Sequence, residues 1–178
     1  MPTVARKVCS TMSGMYCLWD QPAFASIYNY DSWDKLLCED SDIETQIAAA
    51  SFVPINIRSD GVAEIEVRVG SCEQPESLTK RELSFLGVSS SPYLLRAKGQ
   101  VFVSGIEHVE GNPSVNCGQV NLSPGAYAVT VHLIDWAAEP GMLDENDKPR
   151  QGALPDFVVL LNPVVGNEDF RTSVVTFA

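Results

Sequence analysis

Residues 123–136 form the clearest run of alternating positions in the chain, and the rest of the predicted fold is arranged around it. The run starts with a Ser-Pro-Gly turn signal and continues into a segment rich in β-branched and aromatic residues. Side chains alternate between the two faces of a strand, so Tyr127 and Val131 lie on one face and His132 and Ile134 on the other. Both faces are largely apolar, which predicts a central strand in a sheet that is covered on both sides.

The dipeptide Asp60-Gly61 predicts a β-hairpin. It separates an apolar run at residues 51–58 from an alternating run at residues 62–69. Aspartate and glycine tolerate the positive φ angles of a tight hairpin turn, so we expect these two strands to pair with each other. Pro54 has no backbone N–H to donate, and the first strand should therefore lie at an edge or be bulged at that point.

A second hairpin is predicted around Lys98-Gly99, which separates residues 93–97 from residues 100–106. Further strands are predicted at residues 15–19, 119–122 and 156–162, with an edge strand at 172–177.

Capping signals predict two short helices between residues 30 and 50 and a third after residue 79. For residues 81–88, a strand remains an alternative because apolar residues also alternate there. The predicted capping residues are Asp31 or Ser32, Ser41 with Glu44, and Thr79 with Glu82.

About eight short strands, separated by turn residues and accompanied by two or three short helices, are typical of an antiparallel β-sandwich. The length of 178 residues fits one domain with its own core. Residues 1–13 show no convincing period, and we expect them to be frayed or to form an edge.

The chain is acidic, with 12 basic and 23 acidic side chains and a net charge of -11. Phosphate groups would be repelled, so this charge argues against nucleic-acid binding and favours a basic partner. No segment is long and apolar enough to span a bilayer, and the first residues lack the hydrophobic stretch of a signal peptide. These features predict a cytoplasmic protein without a membrane partner.

The five cysteines, which are scattered singly, do not predict a metal site or a full disulfide framework. The acidic segment at residues 144–149 resembles a calcium loop, but it lacks the required glycine and terminal glutamate. No bound cofactor or metal is expected.

Catalytic motifs are also missing from the sequence, which contains neither a nucleophile elbow nor a phosphate-binding glycine loop. The two histidines are His108, at a predicted strand end, and His132, among apolar neighbours. A triad assembled in space remains an alternative. We nevertheless expect a protein that is not an enzyme.

Two acidic stretches, the first accompanied by the aromatic residues Tyr28, Tyr30 and Trp33, are the strongest candidate for a binding surface. Such a surface attracts positively charged partners, and the aromatic rings can act as rigid anchors inside a charged rim. The predicted partner-binding residues are Tyr30, Asp31, Trp33, Asp34, Glu39, Asp40, Asp42, Glu44, Asp135, Glu139, Asp144, Glu145 and Asp147.

The segments 51–61 and Leu122-Ser123-Pro124-Gly125-Ala126-Tyr127 resemble a group of small bacterial proteins of unassigned function. More distantly they resemble the competence-associated DNA-entry nuclease inhibitors. The resemblance covers roughly residues 50–136 and implies an antiparallel sandwich that binds and blocks a basic nuclease. Toxin immunity proteins play a similar role. The resemblance carries over no functional residue.

The leading hypothesis is therefore an acidic immunity or inhibitor protein that blocks a basic toxin such as a nuclease effector, and acts as a monomer or homodimer. One alternative is a small enzyme with a site around His108 or His132. The other is an assembly module that dimerises through an exposed sheet edge.

Overall fold

The computed structural model of the chain describes residues 3–177. Ten strands, three α-helices and three short 3-10 turns follow one another along this part of the chain. The strands are β1 (Thr3–Thr11), β2 (Met15–Asp20), β3 (Phe52–Asn56), β4 (Gly61–Val69), β5 (Leu86–Ser89), β6 (Tyr93–Ala97), β7 (Val101–Gly105), β8 (Gly118–Val120), β9 (Gly125–Ile134) and β10 (Phe157–Pro163). The helices are α1 (Tyr30–Leu37), α2 (Asp40–Ala48) and α3 (Lys80–Ser84), and the 3-10 turns are Gln21–Phe24, Ile106–His108 and Trp136–Ala138.

The strands form two sheets. The larger has the order β1-β4-β10-β9-β5, with β6 also paired to β9, and the smaller has the order β3-β2-β7-β8. The prediction of a mainly β fold with a few short helices is confirmed. The prediction that all strands pair in antiparallel fashion is wrong, because β10 pairs with β4 in parallel, from Phe157 opposite Ile65 to Leu161 opposite Val69.

The strand predicted at residues 123–136 is confirmed as β9, and it lies inside its sheet. It pairs with β10 on one side and with β5 and β6 on the other. Val129 and Val131 are fully buried against the main core, as alternation predicts. The opposite face carries a smaller apolar cluster that includes Ile134 and Val158.

Neither predicted hairpin forms, although the chain turns between the strands at residues 57–60 and 98–100. In the first of these turns the positive φ angle belongs to Arg58 and not to Asp60 or Gly61, and Gly61 already begins β4. β3 pairs with β2 in the smaller sheet, whereas β4 pairs with β1 and β10 in the larger one. In the same way, β6 belongs to the larger sheet and β7 to the smaller. Each turn carries the chain from one sheet to the other. In the second turn the Asp20 carboxylate accepts hydrogen bonds from the backbone N–H groups of Lys98 and Gly99, both at 3.1 Å.

The edge prediction at Pro54 is confirmed, since β3 is an outer strand of its sheet. At the N-terminus, residues 3–11 are not frayed. They form β1, an outer strand whose Thr3 to Thr11 pair with Val69 to Gly61 of β4. The edge alternative is therefore confirmed for residues 3–11. Residues 12–13 follow the strand as a bend, and residues 1–2 lie outside the described residues. At the C-terminus, the predicted edge strand is reduced to a single bridge between Thr176 and Asn56.

The capping predictions had mixed outcomes. The α3 capping box is confirmed: the Thr79 hydroxyl accepts from the Glu82 N–H at 3.2 Å, and the Glu82 carboxylate accepts from the Thr79 N–H at 2.7 Å. The helix predicted around residue 33 begins earlier than expected, with Asn29 as its cap. The predicted Ser41 box is wrong because α2 already begins at Asp40, which places Ser41 inside the first turn.

Both sheets contribute to one continuous apolar core, in which the fully buried Trp19 and Phe52 of the smaller sheet belong to the same cluster as Ile65 and Val159 of the larger. Helix α2 packs against β3. None of the helices within residues 3–177 has the length and apolar character needed to cross a membrane.

Candidate functional site

An open cleft of about 340 Å³ lies between the start of α1, the turn that joins β1 to β2, and the segment after β7. Its volume is at the lower end of the range for small-molecule sites. We call it the aromatic cleft, and its lining includes Tyr28, Tyr30, Trp33, Glu107, Val109 and Glu110.

The N-terminus of α1 is fixed by a local capping box. The Asn29 side chain accepts from the Ser32 N–H at 2.9 Å, and the Ser32 hydroxyl accepts from the backbone N–H groups of Tyr28 at 3.0 Å and Asn29 at 3.1 Å. These contacts satisfy backbone donors that the first turn of a helix leaves open. They also hold the backbone of Tyr28 and Tyr30 in place at the rim of the cleft.

Trp33 forms one wall of the cleft and is itself held by the 3-10 turn after β7. Its indole N–H donates to the carbonyl oxygen of Ile106 at 2.9 Å. The ring of Tyr30 stacks on it, with centroids 6.0 Å apart and planes inclined by 25°. Tyr30 and Tyr28 are 69% and 83% exposed. Large exposed rings beside a fixed indole are unusual on a surface that binds nothing.

Glu107 supplies a carboxylate on the opposite wall. One of its oxygens accepts from the Met12 N–H at 2.7 Å, and the other accepts from the hydroxyl of the buried Thr11 at 2.9 Å. Gly105 permits this arrangement, because a side chain there would press against the backbone oxygen of Ser10 and lie 3.0 Å from the Glu107 carboxylate. The Glu107 carboxylate is therefore held in one position.

The third wall carries Glu110 and depends on close backbone packing at Gly111. The Gly111 N–H donates to the Ile27 carbonyl at 2.8 Å, and its own carbonyl accepts from the Gln21 side chain at 2.7 Å. A Cβ at this position would lie only 2.6 Å from the carbonyl oxygen of Ala25. Glycine is thus required for the segment after β7 to approach the segment before α1.

A wider groove of about 630 Å³ adjoins the aromatic cleft and shares Ser13, Tyr30 and Trp33 with it. It contains Asp40 and Arg58, whose charged groups lie 3.8 Å apart. The Arg58 side chain also donates to the hydroxyl of Thr176 at 3.0 Å. The basic charge in this groove is therefore already partnered.

The structure brings together part of the first predicted acidic stretch. Tyr30 and Trp33 line both openings, and Asp40 lines the groove. The pKa of the Tyr30 hydroxyl is raised, mainly by a hydrogen bond to Asp34 and then by the charge of Asp34. The other predicted residues of this stretch lie on or beside the same two helices: Asp31, Asp34, Glu39, Asp42 and Glu44.

The second predicted stretch packs beside α3 against the larger sheet, and it lines neither opening. Glu139 forms a bidentate salt bridge with Arg81, in which two guanidinium nitrogens lie 2.7 and 2.8 Å from the carboxylate oxygens. This salt bridge lowers the pKa of the Glu139 carboxyl. Asp144 accepts from two backbone N–H groups of its own loop, both at 2.8 Å. The remaining predicted residues of this stretch are Asp135, Glu145 and Asp147.

Neither histidine lines the aromatic cleft, although His108 lies between two residues that do, Glu107 and Val109. The ring nitrogens of His132 lie 2.8 Å from the Ser89 hydroxyl and 3.1 Å from the Thr130 hydroxyl. Burial and the nearby Arg68 lower the pKa of His132, which favours the neutral ring. His108 ends the 3-10 turn after β7, where its carbonyl oxygen accepts from the Cys117 thiol at 3.5 Å.

The cysteine thiols are free in the described chain. Burial raises the pKa of Cys9 to about 12 and that of Cys17 well above its usual value. Since the thiolate is the reactive form, these two thiols are poor nucleophiles at neutral pH. In the part of the chain that is described, no group of three or more His, Cys, Asp or Glu side chains is placed to hold a metal ion.

A larger and more polar depression, of about 780 Å³, lies beside the loop at residues 70–76. Its lining carries Cys72 and Gln74 on that loop, and one aromatic residue, Tyr127. The Tyr127 hydroxyl already donates to the Ser123 carbonyl at 2.7 Å. We therefore regard the smaller aromatic cleft as the better candidate site.

The sequence prediction missed Glu107 and Glu110 and placed Tyr28 only among the accompanying aromatic residues. The two glutamates follow the strand at 101–105 and reach the cleft through tertiary packing. Their one local signal is the position directly after a buried strand, where binding residues are common.

No protein-family model matches the chain, and no curated protein matches it. A structural comparison finds a solved protein named "Crocagin biosynthetic gene J", with a TM-score of 0.63 and 14% sequence identity. The likeness covers 92% of this chain and 98% of the other. It extends over nearly the whole of both chains and, at this identity, is a likeness of fold.

The prediction of an immunity or toxin-inhibitor protein is wrong. The protein that shares this fold is named for a biosynthetic pathway and not for toxin immunity. Locally, the two predicted acidic stretches pack against different sheets, and the second is engaged in contacts with Arg81 and its own backbone. Net charge was a poor guide because it does not show where the charges lie on the surface.

Proposed function

We propose that this chain is a non-catalytic binding protein of a biosynthetic pathway, and that the aromatic cleft holds an organic ligand. The observation that carries the proposal is the pairing of a fixed Trp33 with the exposed rings of Tyr28 and Tyr30 around one opening. Rigid aromatic walls beside a few placed polar groups are typical of ligand sites. The biosynthetic context comes from the name of the protein that shares the fold.

The non-catalytic part of the proposal is supported by the chemistry of the other candidate groups. The His132 ring nitrogens are occupied by two hydroxyls, and burial disfavours the thiolates of Cys9 and Cys17. Within the described residues, the aromatic cleft is lined by neither histidine nor cysteine.

The scaffold for this function is inferred to be a β-sandwich, in which the two sheets face each other across their shared core. The cleft then lies at a place where a helix, a strand end and a turn converge on a rigid layer. Fixed walls of this kind reduce the ordering cost of binding.

The test uses 2-phenylethanol as a neutral aromatic probe, titrated into the isotopically labelled full chain and followed by NMR. We expect the Trp33 indole N–H and the backbone signals of residues 28–33 and 107–110 to shift together in a saturable manner. The Trp33→Ala variant should lose these shifts.

Trp136→Ala is the matched control. The Trp136 indole is also half-buried and donates one hydrogen bond, to Asp156 at 2.8 Å, but it lies beside the larger sheet. This variant should bind the probe as the natural chain does. Shifts scattered over the surface, or shifts that survive Trp33→Ala, would overturn the proposed site.

A further inference from the structure

We propose that the ligand of the aromatic cleft is an organic cation, with an amine or alkylammonium group carried on an aromatic or apolar body. This inference rests on the proposed binding function and names the class of its ligand. The observation that motivates it is the juxtaposition of two carboxylates, Glu107 and Glu110, with three aromatic side chains around one opening.

The charged side chains that line the aromatic cleft are acidic. Glu107 and Glu110 are the carboxylates of the lining, and among the described residues that line the cleft there is neither lysine nor arginine. Asp31 and Asp34 add negative charge on the adjacent α1. An anionic ligand would meet uncompensated repulsion here, whereas a cation would find partners on two sides.

The Glu107 carboxylate is a hydrogen-bond acceptor held in place by its neighbours, unlike a freely moving surface side chain. Each of its oxygens already accepts one hydrogen bond, from Met12 or Thr11, and this fixes the direction of the carboxylate. An ionised carboxylate offers about four acceptor positions, so two remain available to an incoming ammonium group. Because the group is held before binding, little conformational freedom is lost when the ligand arrives.

The aromatic walls attract the same class of ligand. The faces of Trp and Tyr rings carry negative electrostatic potential and bind ammonium groups, with Trp the strongest. The Trp33 indole is pinned through its N–H to Ile106, which leaves the ring as a fixed surface. The nearby Asp34 raises the pKa of the Tyr30 phenol, which keeps it neutral.

The adjoining groove shows where the body of a longer ligand would lie. It shares Tyr30 and Trp33 with the cleft and opens towards the exposed Met12. The Arg58 charge in this groove is offset by Asp40, so it does not repel a cation strongly. A ligand can therefore place its cationic end against Glu107 and extend its apolar end across the Tyr30 ring.

Three probes of similar shape test the inference: 2-phenylethylamine, which is cationic at pH 7, neutral 2-phenylethanol, and anionic 3-phenylpropanoate. Each is titrated into the full chain by NMR at low salt. We expect the amine to bind about three- to tenfold more tightly than the alcohol, and the propanoate more weakly than either. Added salt should reduce the preference for the amine.

The matched variants are Glu110→Gln and Glu145→Gln, which remove the same charge at the cleft and on the distant acidic loop. Glu110→Gln should weaken the preference for the amine, with Glu107 keeping its charge, and Glu145→Gln should leave the preference unchanged. Equal binding of amine and alcohol in the cleft, or tighter binding of the propanoate, would overturn the cationic ligand while leaving the binding function intact. If no probe shifts the cleft signals, both proposals fail.

Discussion

Glu107 joins the turn between β1 and β2 to the segment after β7, and its removal should weaken the fold by a measurable amount. The carboxylate accepts hydrogen bonds from the Met12 N–H and the Thr11 hydroxyl, at 2.7 and 2.9 Å. A hydrogen bond to a charged group contributes about 1.5–3 kcal/mol, and the lower end applies because Glu107 is half-buried. The two bonds together should contribute about 3 kcal/mol.

Glu107→Gln and Glu107→Ala should therefore differ. The amide keeps one acceptor oxygen but presents an NH₂ group to the second donor, so this variant should lose about 1.5 kcal/mol of the free energy of unfolding. The alanine variant loses both bonds and should lose about 3 kcal/mol. For a chain of this size, each kcal/mol lowers Tm by about 2–4 °C.

Urea unfolding followed by tryptophan fluorescence, with calorimetry for Tm, measures these losses. The control is Glu110→Gln, since among the described hydrogen bonds the Glu110 carboxylate accepts none, and its loss should cost less than about 0.5 kcal/mol. If Glu110→Gln is as destabilising as Glu107→Gln, or if the two Glu107 variants unfold together with the natural chain, the assigned role of Glu107 is refuted.

Three further predictions concern the rest of the chain. Burial opposes ionisation of Glu82, but its hydrogen bonds with Arg68 and Thr79 lower its pKa on balance. Its stabilising contribution should therefore be full above the ordinary glutamate pKa and be lost as the pH falls through the lowered value. Urea midpoints should accordingly separate Glu82→Gln from the natural chain at pH 7, and this difference should shrink as the pH falls below the ordinary glutamate pKa. Thr79→Ala removes the cap of α3 and should cost about 1 kcal/mol by the same assay, with Thr79→Ser as the conservative control. Burial raises the pKa of Cys9 to about 12, so Cys9 should resist a thiol reagent at pH 8 in the folded chain while the exposed Cys38 reacts. Mass spectrometry of the labelled peptides distinguishes the two cysteines. Early labelling of Cys9 would contradict its burial.

Local signals predicted strands well and their partners poorly. The alternation in β9 was sufficient to place it inside a sheet, because only a covered strand tolerates two apolar faces. The Asp60-Gly61 signal correctly marked the boundary between two strands, although the residue with the positive φ angle is Arg58. A turn signal does not specify which sheet the next strand joins, since that depends on packing between residues far apart in sequence. The parallel pairing of β10 with β4 has no local signal for the same reason.

The residues of the candidate site also fall into two groups, those indicated by local sequence signals and those brought together only by the fold. Tyr30 and Trp33 were found because a local helix places them together, as neighbours three positions apart on one face. Glu107 and Glu110 come from a segment more than seventy residues away in the chain and are joined to the aromatic residues only by the fold. A sequence argument that pairs nearby acidic and aromatic residues can find one wall of such a cleft, but not the wall opposite.

The crossing of the chain between the two sheets also bears on how the protein folds. β1 pairs with β4, β2 pairs with β7, and β4 pairs with β10, so strands adjacent in space come from distant parts of the chain. Such a topology has a high contact order, because each long loop must be closed before its pairing contributes stability. We expect refolding in the range of milliseconds to seconds, with both sheets forming in one cooperative step, and stopped-flow fluorescence can measure it. The walls of the aromatic cleft come from residues 13–33 and 107–110, which are far apart in the sequence. The cleft would therefore be complete only when the whole domain has folded.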